Sequence, residues 1–246
     1  MGKIRLDKYL ADMGLGTRTE VKKKIRKGQI TVNGVVIREP EYKTDTDADE
    51  VLADHQPLSY ECFKYYMLNK PQGVVSATED KREKTVLDLI VSKKRKDLFP
   101  VGRLDKDTEG LLLITNDGEL AHQLLSPKKH VDKQYFVKLL KPLEQEDAQK
   151  LEHGVDIGEK ELTMPAEVVF TEQQDTEVLI TIREGKFHQV KRMFQAVGNQ
   201  VVFLKRISMG NLKLDEKLKP GDYRLLTQEE IARLKKHAGT DKSSDF

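Results

Sequence analysis

The sequence has no tryptophan, a single cysteine and no apolar run of the roughly 18 to 20 residues that a membrane-spanning helix needs. Cys62 alone cannot form an internal disulfide, and the spacings Cys-x-x-Cys and His-x-x-x-His do not occur, so zinc and redox chemistry are not expected. The glycine motifs that cradle nucleotide phosphates and a secretory leader are also absent. The sequence therefore predicts a soluble, cytoplasmic protein without metal, cofactor or membrane partner.

Charge is unevenly distributed along the chain, although the formal net charge of its 246 residues is only +2. Residues 1–40 contain ten Lys or Arg and four Asp or Glu, which is a local excess of +6. The chain is long enough for two domains, each with its own core. A basic block on a nearly neutral chain indicates a polyanion-binding module joined to a second domain.

The basic block has the pattern of a helix, a second helix and a hairpin. Apolar residues between Ile4 and Met13 recur with the spacing of one helix face. The capping box from Thr17 to Glu20 predicts a second, lysine-rich helix that ends at Gly28. Asn33-Gly34 lies between two β-rich segments and predicts a tight hairpin.

This segment, RLDKYLADMGLGTRTEVKKKIRKGQITVNGVVI, resembles the alpha-L RNA-binding domain first seen in a ribosomal protein of the S-four family. The resemblance covers about residues 3–50 and implies binding of structured RNA through its shape and its phosphates. The acidic stretch 41–54 is expected to turn away from RNA, and residues 55–61 to form a linker. The candidate RNA-binding side chains are Arg5, Arg18, Lys22, Lys23, Arg26 and Lys27.

Short apolar strands dominate the chain beyond residue 60, and a few helices separate them. The pattern predicts strands at 64–70, 110–117, 133–140, 166–170, 177–184 and 200–214, and helices at 85–94, 143–154 and 186–198. It is typical of the α+β class, with a mainly antiparallel mixed sheet flanked by helices. The expected division is a small domain at 1–58, a larger domain at 60–237 and a disordered tail at 238–246.

A cluster of charges, VGRLDKDTEG, directly precedes the most apolar strand of the larger domain. Asp105 and Asp107 would point to opposite sides of an extended segment, so a shared carboxylate site is not expected. Three further clusters stand out, namely NKPQGVVSA (69–77), KQY (133–135) and EGKFHQVKRM (184–193). Each of them alone has an ordinary structural interpretation as a turn, a strand or a basic helix, and the scattered histidines are interpreted as surface or partly packed residues.

In this order and at these separations, the four clusters resemble the pseudouridine synthases, specifically the group that acts on small-subunit rRNA and carries an alpha-L domain. The resemblance covers about residues 3–235, and GRLDKDTEGLLLITNDG is its most specific block. It implies a catalytic domain that isomerises one uridine of 16S rRNA, that at position 516, without a cofactor. The segment FHQVKRMF, with Lys after the valine, favours the members that act on 16S rather than 23S rRNA.

The same resemblance assigns the essential ionised carboxylate to Asp105. This group either attacks the anomeric carbon of the sugar or removes the proton at its 2′ position, and the sequence leaves both roles open. Asp107 does not align with it, so Asp107 and Lys106 are expected to be structural or solvated.

Four more residues receive substrate-binding roles from the resemblance. Lys191 would keep the carboxylate ionised against the desolvation of a closed pocket. Tyr135 and Val190 would hold the two faces of the uracil ring. Arg103 would fill the stack that the extruded uridine leaves or hold a phosphate.

Two other functions stay open at this point. The first is a synthase that acts on 23S rRNA, and the second is a non-catalytic RNA-binding or ribosome-assembly protein that keeps the fold. The expected partner is 16S rRNA, either free or within a small-subunit assembly particle, and the expected state of the protein is a monomer.

Overall fold

A computed structural model of the chain describes residues 3–46, 48–58, 63–91, 97–172 and 175–239. The contacts divide the chain into two compact units, with the boundary between Phe63 and Lys64. None of the helices in these ranges is both long and apolar enough to cross a membrane.

The first unit contains two helices and two small antiparallel sheets. Strand β1 pairs with β4, and a second sheet has the order β3-β2-β5-β6. Its elements are β1 (Lys3–Arg5), α1 (Leu6–Asp12), α2 (Arg18–Arg26), β2 (Ile30–Val32), β3 (Val35–Val36), β4 (Lys43–Asp45), β5 (Val51–Ala53) and β6 (Gln56–Leu58).

Local signals in the sequence identify the core elements of this unit. The capping box at the start of α2 has both of its hydrogen bonds, and Asn33 and Gly34 take the positive φ values, 50° and 78°, of a tight hairpin. The linker predicted at 55–61 is wrong in part, because Gln56–Leu58 forms β6 and the Tyr9 hydroxyl donates to the Leu58 carbonyl at 2.7 Å. The rest of that prediction, residues 59–61, lies outside the described residues.

The second unit is built on one large mixed sheet with the order β11-β12-β10-β13-β9-β7-β15. Strands β9 and β13 are parallel, every other pair is antiparallel, β8 pairs with β9, and β14 pairs with β13. The strands are β7 (Tyr65–Lys70), β8 (Phe99–Pro100), β9 (Glu109–Thr115), β10 (Lys133–Leu139), β11 (Glu167–Phe170), β12 (Glu177–Ile182), β13 (Val201–Met209), β14 (Leu212–Lys213) and β15 (Tyr223–Leu225). The helices are α3 (Gly118–Leu125), α4 (Gln145–His153), α5 (Gln189–Ala196) and α6 (Gln228–Ala238), with 3-10 turns at Val86–Leu89 and Pro127–Lys129.

The predicted α+β class is confirmed, whereas several element boundaries change. Of the helix predicted at 85–94, residues 92–94 lie outside the described residues, and the rest contains only a 3-10 turn at Val86–Leu89. The strand predicted at 200–214 breaks at Gly210, whose φ is 56°. Two helices were not predicted, although each carries a cap. The Asp117 side chain accepts from the Leu120 amide at the start of α3, and Thr227 opens α6 with a capping box.

The predicted tail, 238–246, also needs a correction at its start. Ala238 is the last residue of α6, and Gly239 ends that helix in the left-handed conformation with a φ of 71°. Residues 240–246 lie outside the described residues.

One face of the large sheet carries the main apolar core of this unit. Buried side chains of β9, β10, β12 and β13 contact the apolar faces of α4 and α5. Val190, Met193 and Phe194 bury the inner face of α5. This burial fixes α5 on the sheet. The side chains in the first turn of the helix are therefore held in fixed positions.

Gly110 marks the point where the parallel strands β9 and β13 approach most closely. It pairs with Arg206, its φ is 104°, and a Cβ at this position would lie 2.7 Å from the Arg206 nitrogen and collide with the Arg206 carbonyl oxygen. A side chain here would therefore push apart the two strands that hold the charged loop at 101–108.

We expect Gly110→Ala to lower the free energy of unfolding by about 2 to 4 kcal/mol, because overpacking and a positive φ both act against it. Gly118→Ala is the matched control, since a methyl group added at Gly118 would meet no atom within 4 Å and the residue lies at the start of α3. The measurement is the shift in denaturant midpoint of the second unit. Equal midpoints for the two variants would contradict the close approach of β9 and β13 at Gly110.

Candidate active site

The charged loop at 101–108 is anchored by hydrogen bonds at both ends. The Val101 amide donates to the Leu113 carbonyl of β9 at 2.8 Å, and the Thr108 amide donates to the Asp105 carbonyl at 3.1 Å. Leu104 is buried in the core between them. The apolar strand β9 therefore fixes the loop, and the loop presents Asp105 before the N-terminal end of this central strand.

Lys70 supports this loop from below. It is fully buried at the end of β7, and its Nζ donates to the carbonyl oxygens of Asp105 and Thr108 at 2.9 Å and of Pro71 at 3.0 Å. Burial lowers the pKa of Lys70 to about 8, although the carboxylates of Asp107 and Asp105 act in the opposite direction. The buried Lys70 ammonium thus supplies hydrogen bonds to three backbone carbonyl oxygens in and beside the tight loop.

The NKPQGVVSA segment braces the loop from the side. The Ser76 hydroxyl accepts from the Leu104 amide at 3.0 Å and donates to the Leu104 carbonyl at 2.8 Å. The Gly73 amide donates to the Lys106 carbonyl at 2.8 Å. The sequence indicated only a turn here, whereas the structure shows that the turn and Lys70 together support the loop that carries Asp105.

Lys191 lies in the first turn of α5 and contacts two carboxylates of the loop. Its Nζ is 3.0 Å from Asp105 Oδ2 and 2.5 Å from Asp107 Oδ1. The expectation that Asp105 and Asp107 point to opposite sides and share no site is therefore wrong, although Asp107 is 70% exposed, as a solvated residue would be. Alternation of side chains holds in an extended strand, but this segment is a turn, so both carboxylates reach the same cation. Lys106 does point away, and it pairs with Glu83 at 2.8 Å.

The three charges influence each other. Partial burial acts to lower the pKa of Lys191, but hydrogen bonds to Asp107 and Asp105 outweigh it and raise this pKa above its ordinary value. Partial burial acts to raise the pKa of Asp107, and the hydrogen bond from Lys191 outweighs it, so the pKa of Asp107 is lowered. A cation near a helix N-terminus is unfavourable by itself, and α5 has no acidic residue in its first turn. The loop carboxylates supply the compensating charge.

The turn before α5 is held by a buried glutamine. The Gln189 Oε1 accepts from the Lys186 amide at 2.9 Å, and its Nε2 donates to Glu184 Oε1 at 2.8 Å. His188 lies within the turn that this brace of hydrogen bonds closes, its φ is 48°, and its Nε2 lies 3.6 Å from Asp105 Oδ1. The sequence did not distinguish His188 from the other histidines, because its proximity to Asp105 depends on contacts between distant segments.

A small cleft of about 80 Å³, open at its mouth, lies beside Asp105. Tyr135 of β10 and Val190 of α5 form buried apolar walls, and exposed Arg103 lies at the edge. The structure thus brings together Asp105 and all four predicted substrate-binding residues. Lys191 does not line the cleft itself but contacts the Asp105 carboxylate. The remaining lining, which the sequence did not indicate, includes Ile182, Leu204, Thr108, Gly185, Lys186 and His188.

The residues in and around the cleft define the kind of ligand and the kind of chemistry that suit it. An ionised carboxylate lies at the edge of an aromatic and aliphatic cleft, which suits a flat, uncharged ring bound next to a reactive centre. The side chains themselves offer nucleophilic or acid–base chemistry by one carboxylate. Among the described residues there is no group of three His, Cys, Asp or Glu that could hold a metal ion.

A second candidate surface lies on the first unit. The Asp7 carboxylate is buried and accepts from Arg5 at 2.9 Å and 3.1 Å, and Lys22 lies 3.7 Å from it. Arg5 also contacts Glu41 at 2.9 Å, so a carboxylate from the acidic stretch 41–54 partly neutralises it. The other candidates are exposed on α2 and at its C-terminal end, namely Arg18, Lys23, Arg26 and Lys27. No ion pair joins any of these four to a carboxylate within the described part of the chain.

Comparison with known proteins gives matches along nearly the whole chain. The sequence profile of the RNA pseudouridylate synthase family matches residues 64–196, and that of the S4 domain matches residues 4–50. An uncharacterized RNA pseudouridine synthase of Bacillus subtilis (strain 168), YtzG, is 51% identical over 231 residues, which cover 93% of this chain and 97% of that protein.

Two further matches agree. The ribosomal small subunit pseudouridine synthase A of Escherichia coli (strain K12) is 43% identical and covers 93% of this chain and 99% of its own. A crystal structure of a pseudouridylate synthase is 40% identical with a TM-score of 0.67, and it covers 94% of this chain and 99% of that one.

We expect the stability of the protein, relative to its Lys70→Met variant, to rise between pH 8 and pH 10.5. The folded chain releases the Lys70 proton at about pH 8, whereas the unfolded chain holds it up to about pH 10.5. Burial of the charged Lys70 therefore lowers the free energy of unfolding by its full amount below pH 8. Above pH 8 the free energy of unfolding increases by up to about 1.4 kcal/mol per pH unit. Urea denaturation of both proteins at pH 7.5 and 9.5 measures this difference, and parallel pH profiles would contradict it.

Proposed function

The chain belongs to the RNA pseudouridine synthase family, and we propose that it converts one uridine of 16S rRNA, that at position 516, into pseudouridine. The observation that carries this proposal is the contact between Lys191 and Asp105 beside a cleft walled by Tyr135 and Val190. The likeness to relatives named for the small ribosomal subunit supports the choice of 16S rRNA. The proposal includes a monomeric enzyme that meets its rRNA in the cytoplasm.

The reaction breaks the bond between the ring nitrogen N1 of uracil and the anomeric carbon, rotates the base, and joins the same carbon to C5. The proton lost from C5 is balanced by the proton gained at N1, so no redox partner is needed. Asp105 performs the first step, either by attack on the anomeric carbon or by removal of the 2′ proton. Both routes use the Asp105 carboxylate in its ionised form, and the Lys191 ammonium lies 3.0 Å from its Oδ2.

The walls of the cleft have matching roles. Tyr135 stacks on one face of the uracil, an interaction that contributes about 1 to 3 kcal/mol per base in single-strand binders, and Val190 packs on the other face. Extrusion of a stacked uridine costs a few kcal/mol. Arg103 offsets part of this cost by filling the vacated stack or by holding a phosphate next to it.

Binding energy from the first unit offsets the rest of the cost. The exposed cations of α2 are suited to the phosphates of structured RNA, and they do not read base edges. In this proposal, the choice of one uridine follows from how the rRNA docks, since the cleft itself would accept any uracil.

We expect Asp105→Asn to abolish pseudouridine formation and to leave RNA affinity within a few-fold, because the amide keeps the shape but neither attacks carbon nor removes a proton. The neighbouring Asp107→Asn is the matched control. It removes the other carboxylate held by Lys191, and we expect it to keep activity within about 10-fold, since Asp105 remains paired.

Carbodiimide mapping of 16S and 23S rRNA measures both variants in cells that lack the native protein. Restoration of the mark at position 516 by Asp107→Asn, but not by Asp105→Asn, is the expected result. Full activity of Asp105→Asn would overturn the catalytic assignment. A mark that depends on this protein in 23S rRNA alone would overturn the assigned target.

We expect the triple variant Lys23→Gln, Arg26→Gln, Lys27→Gln to bind 16S rRNA more weakly and with a smaller salt dependence. Each lost phosphate contact removes about 0.7 to 0.9 from the slope of log affinity against log salt, so the slope should fall by about 2. A control with the same charge change replaces the exposed residues Lys160, Lys217 and Lys219 of the second unit with Gln. Equal slopes for the two triple variants would argue against α2 as the RNA-binding surface.

A further inference from the structure

Phe187 is unusually exposed for an aromatic residue of this protein. Its relative exposure is 72%, whereas the next most exposed aromatic residues in the described part of the chain, Phe170 and Tyr42, reach 37% and 36%. A single exposed apolar side chain is common on protein surfaces and by itself indicates nothing. The location and the rigidity of Phe187 distinguish it from such a case.

The ring of Phe187 is held in place on one face only. It stacks on the His188 imidazole with ring centres 3.8 Å apart and planes inclined by 20°. Arg192 donates to the Phe187 carbonyl at 3.0 Å, and the Gln189 brace fixes the turn immediately before it. Since one face lies on His188 while the side chain is 72% exposed, the opposite face is open to solvent.

Phe187 lies in the chain between Lys186 and His188, which both line the cleft. His188, on which the ring stacks, lines the cleft, and its Nε2 is 3.6 Å from Asp105 Oδ1. The exposed ring of Phe187 is thus linked to Asp105 through one residue, the His188 on which it stacks.

We propose that Phe187 is a stacking platform for the RNA base next to the target uridine. This inference rests on the proposed function and deepens it. When the uridine leaves the helical stack, its neighbour loses a stacking partner, and an exposed aromatic ring replaces that partner. Stacking accepts every base, so the platform holds the flanking nucleotide in place without reading its identity.

The test compares variants at position 187 on a 16S rRNA fragment that spans uridine 516. Phe187→Ala and Phe187→Leu should each raise KM about 10-fold with little change in kcat, and Phe187→Trp should stay within about 3-fold of the native protein. Leucine keeps the apolar character but lacks the flat ring, so it separates stacking from simple hydrophobic contact. Phe170→Ala on β11 is the control with the same side-chain change, and it should leave KM unaltered.

A second arm identifies the nucleotide that stacks. The fragment is prepared with one abasic nucleotide on the 5′ or the 3′ side of the target uridine. One of these RNAs should raise KM of the native protein about 10-fold and should cause no further rise with Phe187→Ala, because the same interaction is already lost.

The outcomes separate the two proposals. An active native protein whose KM is matched by Phe187→Ala would overturn the stacking role alone. Equal KM values for the leucine and tryptophan variants, or additive effects of Phe187→Ala with both abasic RNAs, would also overturn it. A native protein that forms no pseudouridine at position 516 in the unmodified fragment or in a small-subunit assembly particle would overturn the proposed function, and the role of Phe187 with it.

Discussion

The pairing of a loop carboxylate with a helix-borne ammonium is the interaction around which the second unit is organised. Asp105 lies beside the apolar walls of the cleft, and the Lys191 Nζ is 3.0 Å from its Oδ2. A lysine in the first turn of α5 is itself disfavoured by the helix dipole. The carboxylates of Asp105 and Asp107 therefore compensate for the unfavourable position of the Lys191 ammonium.

The rest of the fold keeps these two groups within 3.0 Å of each other. The close approach at Gly110 fixes strand β9 behind the loop, and buried Lys70 holds two of the loop's carbonyl oxygens at 2.9 Å. On the other side, the packing of α5 on the sheet and the Gln189 brace fix the helix start. A preorganised carboxylate of this kind requires little rearrangement when substrate binds.

Much of the fold could be predicted from the sequence because its signals are local. The capping box at Thr17, the Asn33-Gly34 turn and the alternating strands each depend on residues within a few positions of one another. The helices α3 and α6 were missed although the same kind of local signal, a capping side chain, stands at the start of each. The strand β6 is different, because the pattern QPL predicts a strand only once its pairing with β5 is known.

The sequence by itself determined the order of the two modules, the α+β class and the block that contains Asp105, since these depend on composition, periodicity and contiguous motifs. Only the tertiary structure decided that Asp107 shares Lys191 with Asp105, that Lys70 donates to the carbonyl oxygens of the loop, and that His188 lines the cleft while the Phe187 ring stacks on it. These contacts join residues 84 positions apart for Asp107 and Lys191 and 38 apart for Lys70 and Thr108. The direction of a side chain in a turn depends on the packing of the whole domain, and no local pattern records it.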